Sequence, residues 1–466
     1  MDTKALRQKI LDLAIRGKLV PQDPNDEPAE VLLERIREQK QQMFKEGKLK
    51  KKDIKNDTII FKGEDNLHYE KLQDGTVKCI EDEIPFEVPE GWAWCKLNDI
   101  YNFIDYRGAT PTKITNGIPL VTAKNVKSGY IDYTIDDYIS EEEFKERQQR
   151  GISKKGDILF TTEAPLGNAA LADMEKFSAG QRLITFQQYG SKNELINYVM
   201  LMFILSDFFQ QQLYVNKTGS TVAGIKAAIL KTLWIPVPPY NEQLRISNTL
   251  KSAINLIDSI SKNKEILSTS ISNTKSKILD LAIRGKIVPQ DPNDEPASVL
   301  LERIRAEKEE LIKQGKIKRD KKESVIFKGD DNSYYQDLPE TWELVNFKDC
   351  ATLISGRDLN KNEYNAESIG IPYITGASNF INENILINRW TTVPKIVSEV
   401  NDILITCKGT VGELAINKYG NIHIARQIMA IRIYKNINLE YIKFFLESIV
   451  MEIKKTANGL IPGISR

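Results

Sequence analysis

A 28-residue segment occurs twice in this chain, and this duplication constrains the fold more than any other feature of the sequence. Residues 10–37 read ILDLAIRGKLVPQDPNDEPAEVLLERIR and residues 278–305 read ILDLAIRGKIVPQDPNDEPASVLLERIR, so only Leu19/Ile287 and Glu30/Ser298 differ. Weaker matches continue as far as Gly224-Ile225 and Gly463-Ile464. A period of about 240 to 270 residues is too long for a solenoid. The sequence therefore predicts two copies of one domain, each preceded by the same helical connector.

A long helix is predicted between the two copies, over residues 241–284, because this stretch contains neither proline nor glycine. About 44 residues of helix extend roughly 66 Å, much more than an ordinary globular helix. Its apolar residues recur in an alternating three-and-four register, which is typical of a coiled-coil seam. We expect this seam to pair with the same helix of another chain or with partner subunits. Its members are Leu250, Ala253, Ile257, Ile260, Leu267, Ile271, Ile278 and Leu281.

The expected fold class is α+β, with two mixed α/β domains separated by the long coiled-coil-type helix and with a duplicated helical connector. Within the connector, a helix ends near Arg16, Gly17 occupies a left-handed C-cap position, and a second amphipathic helix runs from Glu27 to about Glu46. Val31, Leu32, Ile36 and Met43 are expected on one side of that helix. The predicted boundaries are 1–84 for the first connector and its basic linker, 85–240 for the first domain, 241–284 for the spacer helix, 285–335 for the second connector and basic linker, and 336–466 for the second domain.

Composition narrows the range of activities. A net charge of +1 excludes a global polycation, so nucleic-acid binding would need local patches. The four cysteines and two histidines do not cluster as metal ligands, which favours reduced structural thiols. No apolar run is long enough to span a membrane, and no signal peptide is evident, so we expect a cytoplasmic protein without membrane contacts.

No motif for catalysis stands out. The sequence has no P-loop and no glycine-rich turn for a nucleoside cofactor. Val237-Pro238-Pro239-Tyr240 resembles an amino-methyltransferase loop, but valine cannot hold the target amine. Asp157 and Glu163 resemble a nuclease carboxylate pair, but alanine and proline follow where a lysine is required. The favoured interpretation is a non-catalytic chain that binds no metal and no cofactor of its own.

Polar side chains suited to phosphates and base edges occur at comparable places in the two domains. The segment 217–221 combines a cation, hydroxyls and a glycine. For each residue, simple surface solvation is an alternative, and Gln181 and Gln427 could equally be satisfied buried amides. The candidate DNA-contacting residues are Arg107, Lys124, Asn125, Lys127, Gln181, Arg182, Lys217, Ser220, Thr221, Arg357, Lys361, Ser378, Asn379, Lys408 and Arg426.

Two divergent domains with near-identical connectors resemble the specificity subunit of type I restriction-modification systems. The resemblance covers essentially the whole chain. Residues 218–243, from Thr-Gly-Ser-Thr-Val through Ile-Pro-Val-Pro-Pro to Glu-Gln, look like the end of a target-recognition domain entering its long helix. Gly156-Asp157-Ile158-Leu159-Phe160 and Asn401-Asp402-Ile403-Leu404-Ile405 look like the internal strand motif of such domains.

This resemblance implies a non-catalytic reader of double-stranded DNA. Each target-recognition domain would read one half of a bipartite site, and the helices would set the spacing between the halves. The connectors would dock two modification (methyltransferase) subunits, and restriction (endonuclease/translocase) subunits would join the complex. S-adenosylmethionine, ATP and Mg²⁺ would be bound by those partners.

The sequence departs from the resembled family at its C-terminal end. Family members close with a second long helix, whereas here the counterpart of residues 230–284 is absent apart from the N-terminal stub 6–16. We therefore expect a C-terminally truncated member, and the long repeats favour a shuffled or phase-variable origin. The alternatives are an inactive cassette product and a stand-alone DNA-modifying enzyme, against which the absence of a cofactor loop argues.

Overall fold

The computed structural model describes residues 2–54, 57–106, 110–189, 194–219, 223–319, 338–381 and 384–455. The chain divides into two compact units, Met1–Glu265 and Ile266–Arg466. This division falls inside the long helix, and each unit contains one copy of the repeat and one sheet-rich domain. Within the described ranges, no helix is long and apolar enough to cross a membrane.

The first connector consists of two helices, α1 (Thr3–Ile15) and α2 (Ala29–Lys45). The side chain of Asp2 caps α1 by accepting hydrogen bonds from the first free backbone amides. Gly17 has a φ of +63°, which confirms the predicted left-handed cap. On α2, Leu32 and Ile36 are buried as predicted, but Val31 is exposed because it lies outside the face that packs.

The segment predicted as a basic linker contains regular structure. A short helix α3 (Lys51–Ile54) precedes an antiparallel three-stranded sheet, ordered β1-β2-β3. Its strands, β1 (Ile59–Lys62), β2 (His68–Lys71) and β3 (Val77–Cys79), are only three or four residues long and carry lysines. So short a strand leaves too little alternation to be recognised in a sequence.

The first domain is built around an antiparallel sheet ordered β5-β11-β8-β9. A second sheet is ordered β10-β6-β7, and β12 pairs antiparallel with β4. Helices cover one side of the central sheet, and their apolar residues merge with those of α1 and α2 in one core. The elements are β4 (Ala93–Lys96), α4 (Leu97–Ile100), β5 (Tyr101–Asp105), β6 (Ile118–Val121), β7 (Tyr138–Ile139), α5 (Glu141–Arg147), β8 (Ile158–Thr161), β9 (Ala169–Leu171), β10 (Ser178–Ala179), β11 (Leu183–Gln188), α6 (Asn197–Ile204), α7 (Asp207–Val215), α8 (Ala227–Leu230) and β12 (Trp234–Val237).

The long helix α9 (Tyr240–Ile283) is a single 44-residue element, which confirms the predicted helix to within one residue at each end. Its first half belongs to the core of the first unit, where Ile246 and Leu250 pack with residues of α1 and α6. This part of the predicted seam is therefore covered within the chain itself.

The predicted seam holds only in part. Leu250 and Ile257 are buried and Ile260 is half-buried, whereas Ile254 rather than Ala253 occupies the next buried position. Further along, Leu281 is half-buried. Three seam residues are well exposed, with relative exposures of 60%, 60% and 51% for Leu267, Ile271 and Ile278.

The second unit repeats this plan. Its central sheet is ordered β13-β22-β19-β20, beside a sheet ordered β17-β14-β21-β18 and a hairpin of β15 and β16. The elements are α10 (Ala297–Lys313), α11 (Phe347–Cys350), β13 (Ala351–Ser355), β14 (Ile371–Ile374), β15 (Phe380–Ile381), β16 (Asn384–Ile385), β17 (Trp390–Thr391), β18 (Val397–Ser398), β19 (Ile403–Thr406), β20 (Leu414–Ile416), β21 (Ile422–Ile424), β22 (Ile428–Ile433) and α12 (Leu439–Lys455).

The two domains share one scaffold, as the strand orders β5-β11-β8-β9 and β13-β22-β19-β20 indicate. Asp157 precedes β8 and accepts a hydrogen bond from the amide of Lys154 at 2.8 Å. Asp402 precedes β19 and accepts one from the amide of Glu399 at 2.8 Å. The predicted α+β class with two related domains is therefore confirmed.

Each connector also contacts its own domain in the same way. A Cβ placed on Gly17 would lie 2.3 Å from Cγ of Pro89, and one on Gly285 would lie 2.4 Å from Cγ of Pro339. In both units a tryptophan three residues after that proline lies beside the glycine. We call this contact the glycine–proline–tryptophan seat, and it admits no side chain at the glycine.

Candidate nucleic-acid interface

In the first unit, three chain segments meet beyond the end of β8 and enclose a cleft of about 340 Å³. They are the residues that follow β8, the turn before β11, and a hairpin closed between Thr218 and Gly224. Two regions that the sequence selected separately, around Gln181 and around Thr218, thus come together. The cleft is lined by Thr162, Glu163, Gln181, Arg182, Thr218, Gly224, Ile225 and Lys226.

Backbone hydrogen bonds hold these segments together. The amide of Thr162 donates to the carbonyl of Arg182 at 3.0 Å, and the amide of Ile225 donates to the carbonyl of Thr162 at 3.0 Å. Thr218 and Gly224 exchange two further bonds of 2.8 and 3.0 Å. Since the backbone fixes the cleft, side chains on its rim can change without altering the scaffold.

The rim carries more positive than negative charge. Nε of Arg182 lies 3.2 Å from Oε1 of Glu163, and both side chains are about half exposed. An ion pair in so much solvent contributes only about 0–1 kcal/mol, so a phosphate oxygen can replace the carboxylate at little cost. Lys226 is exposed at the rim, and the exposed Lys217 places Nζ 3.5 Å from the centre of the Tyr214 ring.

The second unit presents the same scaffold with different side chains. The amide of Cys407 donates to the carbonyl of Gln427 at 2.8 Å, as that of Thr162 does to Arg182. Lys408 therefore stands where the first unit has Glu163, and Gln427 stands where it has Arg182. Both are exposed, and so is Arg426, whose Nε pairs with Asp358 at 2.7 Å.

The backbone of Arg357, another candidate DNA-contacting residue of the second unit, is held by a buried histidine. The amide of Arg357 donates to the carbonyl of Ile424 at 2.9 Å, and Nε2 of His423 donates to the carbonyl of Arg357 at 2.9 Å. Nδ1 of His423 accepts from the amides of Lys395 and Ile396, which assigns the neutral tautomer. Burial lowers the pKa of His423 and favours the same form.

Asp157 has a structural role. Its carboxylate accepts from the amide of Lys154 and from Nε2 of Gln187, both at 2.8 Å. Burial raises its pKa to about 6. Glu163 lies beyond the opposite end of β8, so the structure keeps the two carboxylates of the resembled nuclease pair at opposite ends of one strand.

Asn125 and Asn379 were predicted to contact DNA, and the structure corrects both to scaffold roles. Asn125 is buried, accepts from the amide and hydroxyl of Thr122, and donates to two loop carbonyls. Asn379 is buried, accepts from Thr375 in the same way and donates to the carbonyl of Leu386. Neither amide is accessible to a nucleic acid, because each one closes a loop from the inside.

The remaining candidates are scattered. Lys124 and Lys127 lie on the loop that Asn125 closes, and Nζ of Lys127 donates to the carbonyl of Lys124 at 2.7 Å. Ser378 is exposed on the matching loop of the second unit, and Lys361 is exposed on a separate short helical turn. None of these lines the cleft of the first unit. Arg107, Ser220 and Thr221 lie outside the described residues.

Lys226 is a cleft residue that sequence reasoning missed. It follows the buried Ile225 directly, and a cation placed immediately after the Gly-Ile pair was the available signal. Across the ranges that the structure describes, no group of three or more His, Cys, Asp or Glu side chains is placed to hold a metal ion. The four cysteines are free thiols.

Comparisons with family models and with known proteins identify the same family. Residues 89–268 and 339–464 match the model of the type I restriction modification DNA specificity domain. The chain is 30% identical over 433 residues to the type I restriction enzyme EcoAI specificity subunit of Escherichia coli, covering 80% of this chain and 66% of that subunit. It is 31% identical over 392 residues to the EcoEI specificity subunit of the same species, covering 73% and 60%. The chain thus spans about two-thirds or less of these relatives.

A solved structure supports the fold. The chain superposes with a TM-score of 0.53 on a chain from a study of complex assembly and conformational transition of the type I R-M system. The match covers 82% of this chain and 84% of the other, at 18% sequence identity.

Proposed function

The chain belongs to the family of type I restriction-modification DNA specificity domains, and we propose that it selects the DNA sequence on which a restriction-modification complex acts. In this proposal the chain is a non-catalytic recognition subunit for double-stranded DNA. Each domain reads one half of a bipartite site. The exposed rim residues of each unit contact phosphates and base edges.

The observation that carries this proposal is the combination of a common scaffold with unlike side chains. Equivalent backbone positions carry Glu163 and Arg182 in one domain and Lys408 and Gln427 in the other. Base edges are distinguished by such donors and acceptors, whereas the scaffold fixes their position. Two domains that share a scaffold but differ in their rim side chains are suited to recognising two different halves of an asymmetric DNA site.

The proposal assigns the chemistry to partners. Two modification subunits would dock on the connectors and bind S-adenosylmethionine, and restriction subunits would supply the nuclease with ATP and Mg²⁺. This chain would then need no cofactor. The near-identical connectors favour such docking, because invariant partners require invariant surfaces while the domains diverge.

A methylome experiment tests the proposal. The chain is co-expressed with its modification subunit in a host without DNA methylation, and modified adenines are mapped. We expect one bipartite, asymmetric motif. Methylation without a defined motif, or none at all although the subunits co-purify, would contradict the proposed role.

DNA-binding variants then locate the interface on a duplex with the mapped motif. Arg182→Ala and Lys408→Ala should each weaken binding by about three- to tenfold and make the salt dependence shallower by about one ion. Lys155→Ala is the matched control, because this exposed lysine lies at the opposite end of β8. Fluorescence anisotropy at several salt concentrations provides the measurement. Wild-type affinity for both Arg182→Ala and Lys408→Ala would remove these two rims from the interface.

A further inference from the structure

One position of the common scaffold carries opposite charges in the two domains. Thr161 ends β8 and pairs with the first residue of β11, and Thr406 ends β19 and pairs with the first residue of β22. Two residues after each threonine stand Glu163 and Lys408. We call this place in either domain the rim position. It follows the same end of the same strand in both units.

The turn that carries the rim position is built in the same way in both units. The amide of Gly167 donates to the carbonyl of Thr161 at 3.0 Å, and the amide of Gly412 donates to the carbonyl of Thr406 at 2.9 Å. In each unit the threonine hydroxyl also accepts from the amide that follows the glycine, at 2.9 Å. The backbone therefore holds the rim position equally in the two domains, and the side chain alone differs.

The carboxylate of Glu163 is open to a molecule that enters the cleft. Its backbone forms an isolated β-bridge with Gly224, and a Cβ on that glycine would lie 3.8 Å from Oε2. Oε1 faces Nε of Arg182 at 3.2 Å, and the side chain of Glu163 is 44% exposed. One oxygen thus faces a cation, and the other lies beside a residue without a side chain.

A negative charge at this place restricts what the cleft can contact on DNA. A carboxylate repels phosphates, and its desolvation is unfavourable unless it accepts hydrogen bonds. Arg182 offsets this charge only in part, because its exposed guanidinium also attracts a phosphate oxygen. In the major groove, the donors on base edges are N4 of cytosine and N6 of adenine. Glu163 is therefore suited to a base that bears an amino group.

Lys408 offers the opposite chemistry at the same place. Its side chain is exposed, and a Cβ on the following Gly409 would have no atom within 4 Å. A lysine ammonium carries three donors and no acceptor. Guanine presents two acceptors, O6 and N7, in the major groove, which makes it the usual target of a cationic side chain.

We propose that the rim position determines specificity and that its charge selects the class of base. Glu163 accepts a hydrogen bond from the amino group of a cytosine or adenine in the half-site of the first domain. Lys408 donates to a guanine in the half-site of the second domain. This inference rests on the proposed function and adds to it the class of base that each domain reads at one position.

Charge exchange at the rim position tests this inference in the complex with the modification subunit, after the wild-type motif has been mapped. Glu163→Lys should change one position of one half-site from cytosine or adenine to guanine. Lys408→Glu should make the reverse change in the other half-site. The ratio of methylation at the two competing motifs should shift by about five- to 100-fold.

Glu163→Gln is a second variant, which decides the matter if the complex with Glu163→Lys methylates no site. Its amide keeps one acceptor and adds donors. The preference at the same position should therefore become weaker, while the rest of the motif stays as in wild type. Co-purification with the modification subunit and circular dichroism establish that each variant is folded.

Glu175→Lys and Lys418→Glu are the matched controls, because they make the same charge changes at exposed residues. These residues follow β9 and β20, whose ends pair with the starts of β8 and β19, so they lie away from the rim position. Both controls should leave the motif unchanged. A control that alters the motif as the rim variants do would overturn the inference.

Three further results would overturn it while leaving the proposed function in place. One is a defined motif that neither Glu163 variant changes. Another is guanine or thymine in the wild-type motif at the position that Glu163→Lys alters. The third is a change that separates only A·T from G·C pairs, since this is the distinction that minor-groove contacts make. A wild-type complex that methylates no defined motif would contradict the proposed function, and this inference with it.

Discussion

At the residue scale, one scaffold position carries different chemistry in the two domains. Asp157 is held by the neutral amide of Gln187, whereas Asp402 forms a two-point ion pair with Arg432 at 2.9 Å for each contact. Both carboxylates also close the turn that enters a central strand. The position therefore requires an acceptor, and its partner is free to differ.

The free energy of unfolding of the first unit should depend on pH through the buried carboxyl of Asp157. Its folded pKa of about 6 lies above the ordinary 3.8, so the folded state holds the proton more tightly and the free energy of unfolding falls as pH rises from about 4 to 6. At about 1.4 kcal/mol per pKa unit, this group removes up to about 3 kcal/mol. Asp157→Asn should show a smaller fall in urea titrations at pH 4.5 and 7.

Lys155→Ala serves again as the control in these titrations, since it changes a neighbouring exposed charge without touching the buried turn. Parallel pH profiles for wild type and Asp157→Asn would show that the carboxyl is ionised equally in the folded and unfolded states.

The orientation of a polar side chain could not be predicted from sequence. Asn125 lies between two lysines and looks like a surface donor, but its amide points inward and satisfies loop carbonyls. Nothing local in the sequence distinguishes the two orientations, because the acceptors are backbone groups up to ten residues away. Arg182 and Lys408, in contrast, are exposed, and their contact with DNA stays a prediction.

At the scale of elements, α9 changes environment along its length. Leu250 is fully buried in the first unit, whereas Leu267, 17 residues further along the helix, is 60% exposed. The sequence predicted the helix itself, because no residue between 241 and 284 interrupts it. The buried face was predicted less well, since Ile254 is buried where Ala253 was expected.

A matched pair of substitutions should separate the two environments. Leu250→Ala should destabilise the first unit by about 2–5 kcal/mol through lost contacts and a cavity. Leu267→Ala should change stability by less than about 0.5 kcal/mol, because its side chain is exposed. Chemical denaturation followed by tryptophan fluorescence measures both. Similar losses for the two variants would mean that α9 is covered along its whole length in solution.

At the scale of the whole molecule, the duplicated sequence allowed the division into two units to be predicted. The short sheet β1-β2-β3 was not predicted. Identical residues such as Leu32 and Leu300 form the same helix in both units, yet only the first is fully buried. Local sequence determines these helices, whereas burial depends on segments distant in the chain.

Self-association through α9 is a prediction at this scale. An exposed apolar stripe of this length favours pairing with another copy or with partner subunits. We expect the sedimentation coefficient to rise with concentration in the micromolar range, and Leu267→Glu with Ile271→Glu should suppress that rise. Wild type that sediments as a monomer throughout this range would exclude self-pairing.

The glycine–proline–tryptophan seat has a consequence for how such chains diversify. Gly17 contacts Pro89 and Trp92 just as Gly285 contacts Pro339 and Trp342, so both connectors present the same contact surface to the domain that follows. A domain that begins with Pro-Glu-x-Trp carries the residues that pack on this surface. Genetic exchange within the repeat would therefore replace one domain by another without disturbing this contact. Under the proposed function, such exchange of whole domains would change the DNA sequence recognised without any point mutation.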